Sequence, residues 1–432
     1  MEVVGPYAAI IGISVIIIIS YFFNIISKKT NIPSVLMLIG LGLLIKQGLS
    51  FMGFTTGGAT EASLLEILGI VGLIMIVLEA ALDLHLSKEK WPTIWKSFSV
   101  ALLSLVFSAF ACAYIINFFI IPDFFTSLIY AVPLSIMSSA IIIPSVGELS
   151  EDKKEFMVYE GTFSDILGIM FFYFLIGNAE ADTAQVVVMD VVGNITITIF
   201  LSILISYALV LIFQKINSQV KLFMLIAVLL ILYSVGKLFH LSSLLIILIF
   251  GLVLNNNKLF FQGVLKKWIV QDKINEILKN FHLVTLESAF VIRTFFFVVF
   301  GISISLASLA NLEVAIISLC ILVALFGVRF IFLKLIVQKD LSPQVYLSPR
   351  GLITILLFFA IPAEYQSESF DSGILLYTII ISSLIMAVAL VASGKKVIPI
   401  EDMSFIYSPT KSEQAKIDEI DLDTIEEKKG EE

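Results

Sequence analysis

Apolar residues fill this chain in continuous blocks of about twenty, and polar residues collect in the short gaps between them. The blocks lie near 6–26, 32–49, 64–86, 97–121, 126–147, 156–178, 186–213, 220–236, 238–255, 284–306, 312–337, 345–363 and 372–393. At a rise of about 1.5 Å per residue, about twenty helical residues cross the hydrocarbon of a bilayer. The pattern therefore predicts an all-α, polytopic membrane protein with about thirteen transmembrane helices. A membrane β-barrel would instead alternate over segments of about ten residues. The first block, Tyr7 to Ile26, has no basic stretch before it and is followed by Lys28 and Lys29, so it reads as a retained span and not a cleaved signal.

The charges sort by side. One set of alternate gaps carries Lys28, Lys29, Lys88, Lys90, Lys96, Lys153, Lys154, Lys266, Lys267 and further lysines. The other set carries Lys46 and Lys237 among acids such as Glu61, Asp123, Glu180, Asp182, Glu364 and Asp371. The positive-inside rule puts the N-terminus outside and the C-terminus in the cytoplasm. Within the gap 257–282, Trp268, Ile274, Ile277, Leu278 and Phe281 recur at helical spacing beside lysines, which suits either an amphipathic helix on the inner interface or a basic linker. Residues 399–432 are polar and acid-rich and read as a disordered cytoplasmic tail, leaving 1–398 as the membrane domain.

Composition agrees: 59% of residues are hydrophobic and 14% charged, against roughly 25% charged in soluble domains. The net charge of −8 sits mostly in gaps and tail. Cys112 and Cys320 fall inside apolar blocks, and His85, His240 and His282 are scattered, so neither a disulfide framework nor a metal site with Cys/His spacing is expected. No glycine-rich nucleotide motif follows the last block. No cofactor and no nucleic-acid partner is expected, and the bilayer is the expected surrounding.

Few ionisable residues lie inside the blocks, and each one at that depth is a candidate for function. The informative ones are Glu79, Asp165, Arg293 and Arg329. Glu79 lies toward one end of its span, where a side chain can reach the interface. Arg329 carries a permanent charge suited to pairing. Asp165, in the run Glu160-Gly161-Thr162-Phe163-Ser164-Asp165, is deep and has no counter-charge within a helical turn. A carboxyl group in a wet cavity is tuned by burial and by nearby cations acting in opposite senses. It can take a proton or hold a small cation in competition with that proton.

Two spans read as broken helices. In 126–147, Pro133 and Pro144 bracket Ser138 and Ser139, freeing backbone carbonyls near mid-membrane. The span 345–363 opens Leu347-Ser348-Pro349-Arg350-Gly351 and continues Leu352-Ile353-Thr354, with Pro362 near its end. The two are seven spans apart and cross in opposite directions, as an inverted repeat of spans one to six against eight to thirteen requires. Paired interruptions of this kind point to a transporter binding site. Hydroxyls of Ser138, Ser139 and Ser164 are plausible ligands for a hard cation held by Asp165.

At these residues the chain resembles the monovalent cation:proton antiporter superfamily, which includes sodium/proton exchangers and Kef-type potassium efflux systems. Val77-Leu78-Glu79-Ala80-Ala81-Leu82 is similar to the Phe-Glu-Ala-Gly/Ala run of the sodium/proton branch. The run Glu160 to Asp165 resembles that branch's Glu-Ser-x-x-Asn-Asp motif, with Gly161 and Ser164 replacing the Ser and Asn. Arg350-Gly351 and Phe295-Phe296-Phe297-Val298-Val299-Phe300-Gly301 match two further motifs. Ser138-Ser139-Ala140 and Phe163-Ser164-Asp165-Ile166 look closer to the potassium efflux branch.

The resemblance implies an antiporter exchanging Na⁺ or K⁺ for H⁺, with Asp165 as the ion-carrying residue and Ser164, Ser138, Ser139 and Glu160 around it. It implies a core ion pair between Arg329 and Glu79, and Arg350, Arg293 and Thr162 in supporting positions. It further implies core helices at about 97–178 and 312–393, scaffold helices at about 6–86 and 220–306, a linker helix at about 186–213, a homodimer, and a bacterial inner membrane. A single deep acid predicts electroneutral 1:1 exchange. The alternatives are a Kef-like potassium efflux antiporter, or a Na⁺-coupled carrier of an organic anion on the same broken-helix layout. A channel is disfavoured by the absence of a repeated filter signature, and an enzyme by the absence of His-Glu-x-x-His and Gly-x-Ser-x-Gly.

Overall fold

A computed structural model describes residues 6–30, 32–51, 59–86, 89–177, 184–216, 221–238, 243–303, 310–338 and 341–394. The acidic tail and several gap residues, Lys88, Glu180, Asp182, Lys339 and His240 among them, lie outside the described residues. Among the described residues the chain is helical and contains no strand.

The helices follow the apolar blocks in order: α1 (Pro6–Thr30), α2 (Ser34–Phe51), α3 (Ala59–Asp83), α4 (Trp91–Phe119), α5 (Phe124–Ser135), α6 (Ser139–Ser145), α7 (Glu151–Gly177), α8 (Ala184–Phe213), α9 (Lys221–Leu238), α10 (Ser243–Asn255), α11 (Asn257–Phe260), α12 (Gln271–Ser303), α13 (Leu312–Ile336), α14 (Leu352–Phe359) and α15 (Gly373–Ala392). Among the described residues eight segments are long and apolar enough to cross a membrane, the broken stretch Phe124–Ser145 among them. Three shorter apolar helical stretches, Ile197–Phe213, Leu222–Gly236 and Ser243–Asn255, accompany them. Outward faces carry bare aliphatic and aromatic side chains, such as Ile10, Ile11, Phe118, Phe200 and Val388. These faces suit lipid and would be a liability in water.

Local chemistry sets the ends. Asp123 caps α5, its carboxylate accepting a hydrogen bond from the Thr126 amide at 2.7 Å. Asn311 caps α13 in the same way, accepting from Glu313 at 3.0 Å. Pro92 sits in the first turn of α4, where its missing N–H costs nothing.

The gap 257–282 differs from both expectations. The one-turn helix α11 and a short 3-10 turn, Gly263–Trp268, come first, and the long helix then begins at Gln271 and runs unbroken to Ser303. The reason is burial: Ile274, Ile277 and Phe281 are in the core, Ile274 and Ile277 facing Leu209, Phe213 and Leu254 of α8 and α10. That apolar stripe docks on protein, not on the membrane surface.

Packing gathers α4, α5, α6, α7, α13 and α15 around one another, and α2, α3, α10 and α12 into a second group. The second group is held closely where α2 meets α12. A Cβ on Gly42 would overlap the Val298 carbonyl, and one on Gly301 would overlap that of Ile39. Short α14 lies between the groups, touching α3, α5 and α7.

Candidate ion-binding site

The site is built from two interruptions that cross. After α5 the chain turns extended through Ile136 and Ser138, with ψ of 131° and 106°, before re-entering helix at Ser139. Pro133 stands in the last turn of α5 and Pro144 inside α6, where the sequence places them. Leu347 to Gly351 forms the second interruption, preceded by a single 3-10 turn (Gln344–Tyr346) and followed by α14. The second element is therefore less symmetric than the first. The Ser138 amide donates to the Pro349 carbonyl at 2.9 Å, joining the two breaks directly.

Arg350 caps this crossing. Its Nε donates to the Leu134 carbonyl at 3.0 Å, and its Nη1 lies 2.5 Å from both the carbonyl and the hydroxyl oxygen of Ser348. Its own amide donates to the Ser382 hydroxyl at 3.0 Å. A buried guanidinium at the C-terminal end of α5 satisfies an orphan carbonyl and offsets the negative end of the helix dipole.

Helix α7 presents Asp165 to the first break. The Ser139 amide donates to Asp165 Oδ2 at 3.1 Å, and the Met137 amide donates to the Ser164 hydroxyl at 3.0 Å. Two freed amides of the break are thus taken by consecutive residues of α7. The approach is close because Gly161 and Gly168 flank them on the same face. A Cβ at Gly168 would overlap the Ile136 side chain, and one at Gly161 would press on Ser139. This spacing of small residues at 161, 164 and 168 was available in the sequence as a packing signal.

Asp165 is 2% exposed, and its second oxygen, Oδ1, has no hydrogen-bond partner. The Thr162 and Thr354 hydroxyls are likewise buried without a partner. A buried carboxylate oxygen left unpaired is costly unless a proton or a cation joins it.

The other charges are paired, but not as the resemblance implies. Arg329 does not meet Glu79. It forms a two-pronged ion pair with Glu160, both of whose carboxylate oxygens it contacts, with Nη2 at 2.9 Å from Oε2. Nη2 also donates to the Gln344 carbonyl at 3.0 Å, and the Met137 thioether lies 2.8 Å from Nη1. Glu160, which the sequence reading put among the ion ligands, thus stands paired with Arg329. Glu79 instead accepts from Arg293 at 3.2 Å. The reason is helix packing: α3 lies along α12, which carries Arg293, while Arg329 on α13 belongs to the group around α7. Arg293, for which the motifs assign no role, is the partner that sequence reasoning missed. Ser348, Ser382 and the Met137 and Met157 thioethers were missed as well, because no motif distinguishes them from lining residues.

A cavity of about 40 Å³ adjoins the break, lined among others by Ser20, Asn24, Ser34, Ser138, Arg293 and Thr294. The volume suits water or a small ion. Among the described residues no cluster of three or more His, Cys, Asp or Glu is placed to hold a metal.

The profile of the sodium/hydrogen exchanger transmembrane family matches residues 13–393. The chain belongs to that family. Its general activity is therefore exchange of a cation for protons across a membrane in which it is a multi-pass integral protein; the family is one of transporters. The exchanger is also similar in fold to the sodium proton antiporter MjNhaP1 from Methanocaldococcus jannaschii. The structure of that antiporter at pH 8 superposes with a TM-score of 0.65 at 18% identity, covering 89% of this chain and 96% of the other. A second structure of MjNhaP1, from electron microscopy, gives 0.64 at 18% identity, with 91% and 96% covered. No curated protein sequence matches the exchanger.

Proposed function

We propose that the exchanger carries Na⁺, or K⁺ in its place, against H⁺ in a one-for-one cycle, and that Asp165 binds the two in turn. The observation that carries this reading is the Asp165 carboxylate, buried at the crossing with Oδ1 unpartnered. Four acids are buried among the described residues, and three face a cationic or basic side chain: Glu79 faces Arg293, Asp83 faces His282 and Glu160 faces Arg329. Asp165 alone of the four faces a backbone amide, which lowers the cost of its charge without cancelling it.

A desolvated Na⁺ gains from oxygen ligands and from full negative charge. Asp165 supplies the charge; Ser139, whose amide it binds, and Ser164, its neighbour on α7, carry hydroxyls at the same break, with Ser138 next to Ser139 in the chain and Thr162 one turn back along α7. Protonating the carboxyl removes the charge and with it the reason for the cation to stay. Competition for one group makes the two ions exclusive, and one charge in each direction gives electroneutral exchange. Glu160–Arg329 and Glu79–Arg293 remain paired through the cycle.

The same reading puts the N-terminus outside and the C-terminus in the cytoplasm of a bacterial inner membrane. It has α4 to α7 and α13 to α15 moving as a core against a homodimeric scaffold of α1 to α3 and α9 to α12, with α8 as linker.

The test is lumenal pH in acid-loaded proteoliposomes on adding Na⁺, K⁺, Li⁺ or choline outside. Lumenal alkalinisation with Na⁺ or K⁺, insensitive to membrane potential and lost in Asp165→Asn, is the expected result. Wild-type flux in Asp165→Asn would remove Asp165 from the mechanism. A clear response to potential would sink the one-for-one stoichiometry. Uptake of an organic anion without proton movement would turn the reading to a Na⁺-coupled carrier.

A further inference from the structure

Two of the three tryptophans in the chain stand one turn apart at the start of α4. Trp91 and Trp95 are 60% and 59% exposed, and their rings stack with centroids 6.5 Å apart at 21°. With Pro92 and Lys96 they line an open pocket of 440 Å³. Lys90, one residue before the helix, is taken by Glu155 at 2.5 Å. Lys96, the one cation among the four lining residues, borders the pocket with its stem, since the lining is almost wholly apolar, and among the described residues no acid lines it.

The stack continues inward. Phe98 lies 5.7 Å from Trp95 at 22°, and its edge meets Phe163 of α7 at 5.4 Å. Phe163 stacks in turn on Tyr159 at 6.4 Å, and the Tyr159 hydroxyl donates to the His85 carbonyl at 2.6 Å. This aromatic ladder backs Trp95, and through it Trp91, from below.

We propose that this pocket docks the headgroup of an anionic phospholipid, its phosphate on Lys96 and its glycerol and upper acyl segments against the two indole faces. Position and charge select the occupant. Indole rings favour the headgroup level of a bilayer, and this end of α4 lies on the lysine-rich side of the chain. A basic side chain at that level attracts anionic lipid. Bare indole faces alone would also suit a quaternary ammonium headgroup, but Lys96 repels one, which is discrimination by an unfavourable charge.

The test uses tryptophan fluorescence in a Trp268→Phe background, which leaves Trp91 and Trp95 as the only indoles. The protein is reconstituted in vesicles in which either phosphatidylglycerol or phosphatidylcholine carries brominated acyl chains, and quenching is followed against mole fraction. The expected result is about fivefold enrichment of phosphatidylglycerol over phosphatidylcholine at the two tryptophans, the effect of one lysine near the surface. Lys96→Gln should bring the ratio close to one while the protein stays folded by circular dichroism. Equal quenching by the two lipids in the parent would overturn the proposal, and so would a preference that survives Lys96→Gln. The readout needs no transport, so it stands or falls separately from the exchange reading.

Discussion

Glu160→Gln tests the wiring of the site. The change keeps the shape of the side chain and removes its charge. Arg329, 2% exposed, is left with the Gln344 carbonyl and two thioethers, none of which carries a negative charge. Removing one partner of a buried ion pair costs about 3–5 kcal/mol, most of it the penalty of the abandoned charge. Arg329→Met should cost a similar amount by abandoning Glu160. The double variant abandons neither, so the two losses should not add. The shortfall should be about 2–3 kcal/mol, the upper range for groups in direct contact. Unfolding in mixed micelles, titrated with sodium dodecyl sulfate and followed by circular dichroism, measures all four proteins. A parallel cycle with Glu79→Gln and Arg329→Met should be additive to within about 0.5 kcal/mol. Additivity in the first cycle, or coupling in the second, would refute the assignment of Arg329 to Glu160.

Gly168→Val puts a branched side chain where Ile136 already sits; we expect about 1–3 kcal/mol of destabilisation and loss of exchange, and wild-type melting with full flux would contradict the close approach of α7 to the break. Arg350→Lys keeps the charge but gives up the fork that reaches both Leu134 and Ser348; a loss of about 1–3 kcal/mol from an unpaired buried carbonyl is expected in the same micelle titration, and an unchanged midpoint would contradict it. Asp123→Ala removes the cap of α5 and should cost about 1 kcal/mol. The hydroxyl and amide of Thr126 hold the Asp123 carboxyl below the ordinary aspartate value. Its contribution is therefore complete above the unfolded value near ~3.9 and fades as pH falls through the lower folded value. The gap between wild type and Asp123→Ala should be constant at neutral pH and close only in acid. A gap that closes between pH 6 and 8 would count against it.

The fold class was legible because a membrane demands long apolar runs, and a run of twenty such residues has few other uses. Breaks were legible for a related reason: Pro133, Pro144 and Pro349 remove backbone donors, which is costly where water cannot replace them. Asp165 stood out because an unpaired acid in an apolar run is rare. Partnership between distant charges was not legible. Glu79, Glu160, Arg293 and Arg329 are all buried ionisable groups, and four such residues allow more than one pairing. Only the packing of α3 on α12, set by many small apolar contacts, decides that Glu79 meets Arg293. The inward docking of Ile274, Ile277 and Phe281 was hidden for the same reason, since a stripe of that spacing suits a lipid surface and a protein groove equally.

The bond from Ser138 to Pro349 is a single hydrogen bond, yet it stitches together two strands of chain more than two hundred residues apart. With Arg350 clasping the Leu134 carbonyl beside it, the crossing is a knot tied at two points. A knot does not flex in halves. In the cycle proposed above, α5, α6 and α14 are then carried as one piece, and the seam against the scaffold falls outside the knot, where α14 and α7 meet α3. Glu79 and Arg293 join α3 to α12, so in that cycle the pair ties together the wall against which the knot moves.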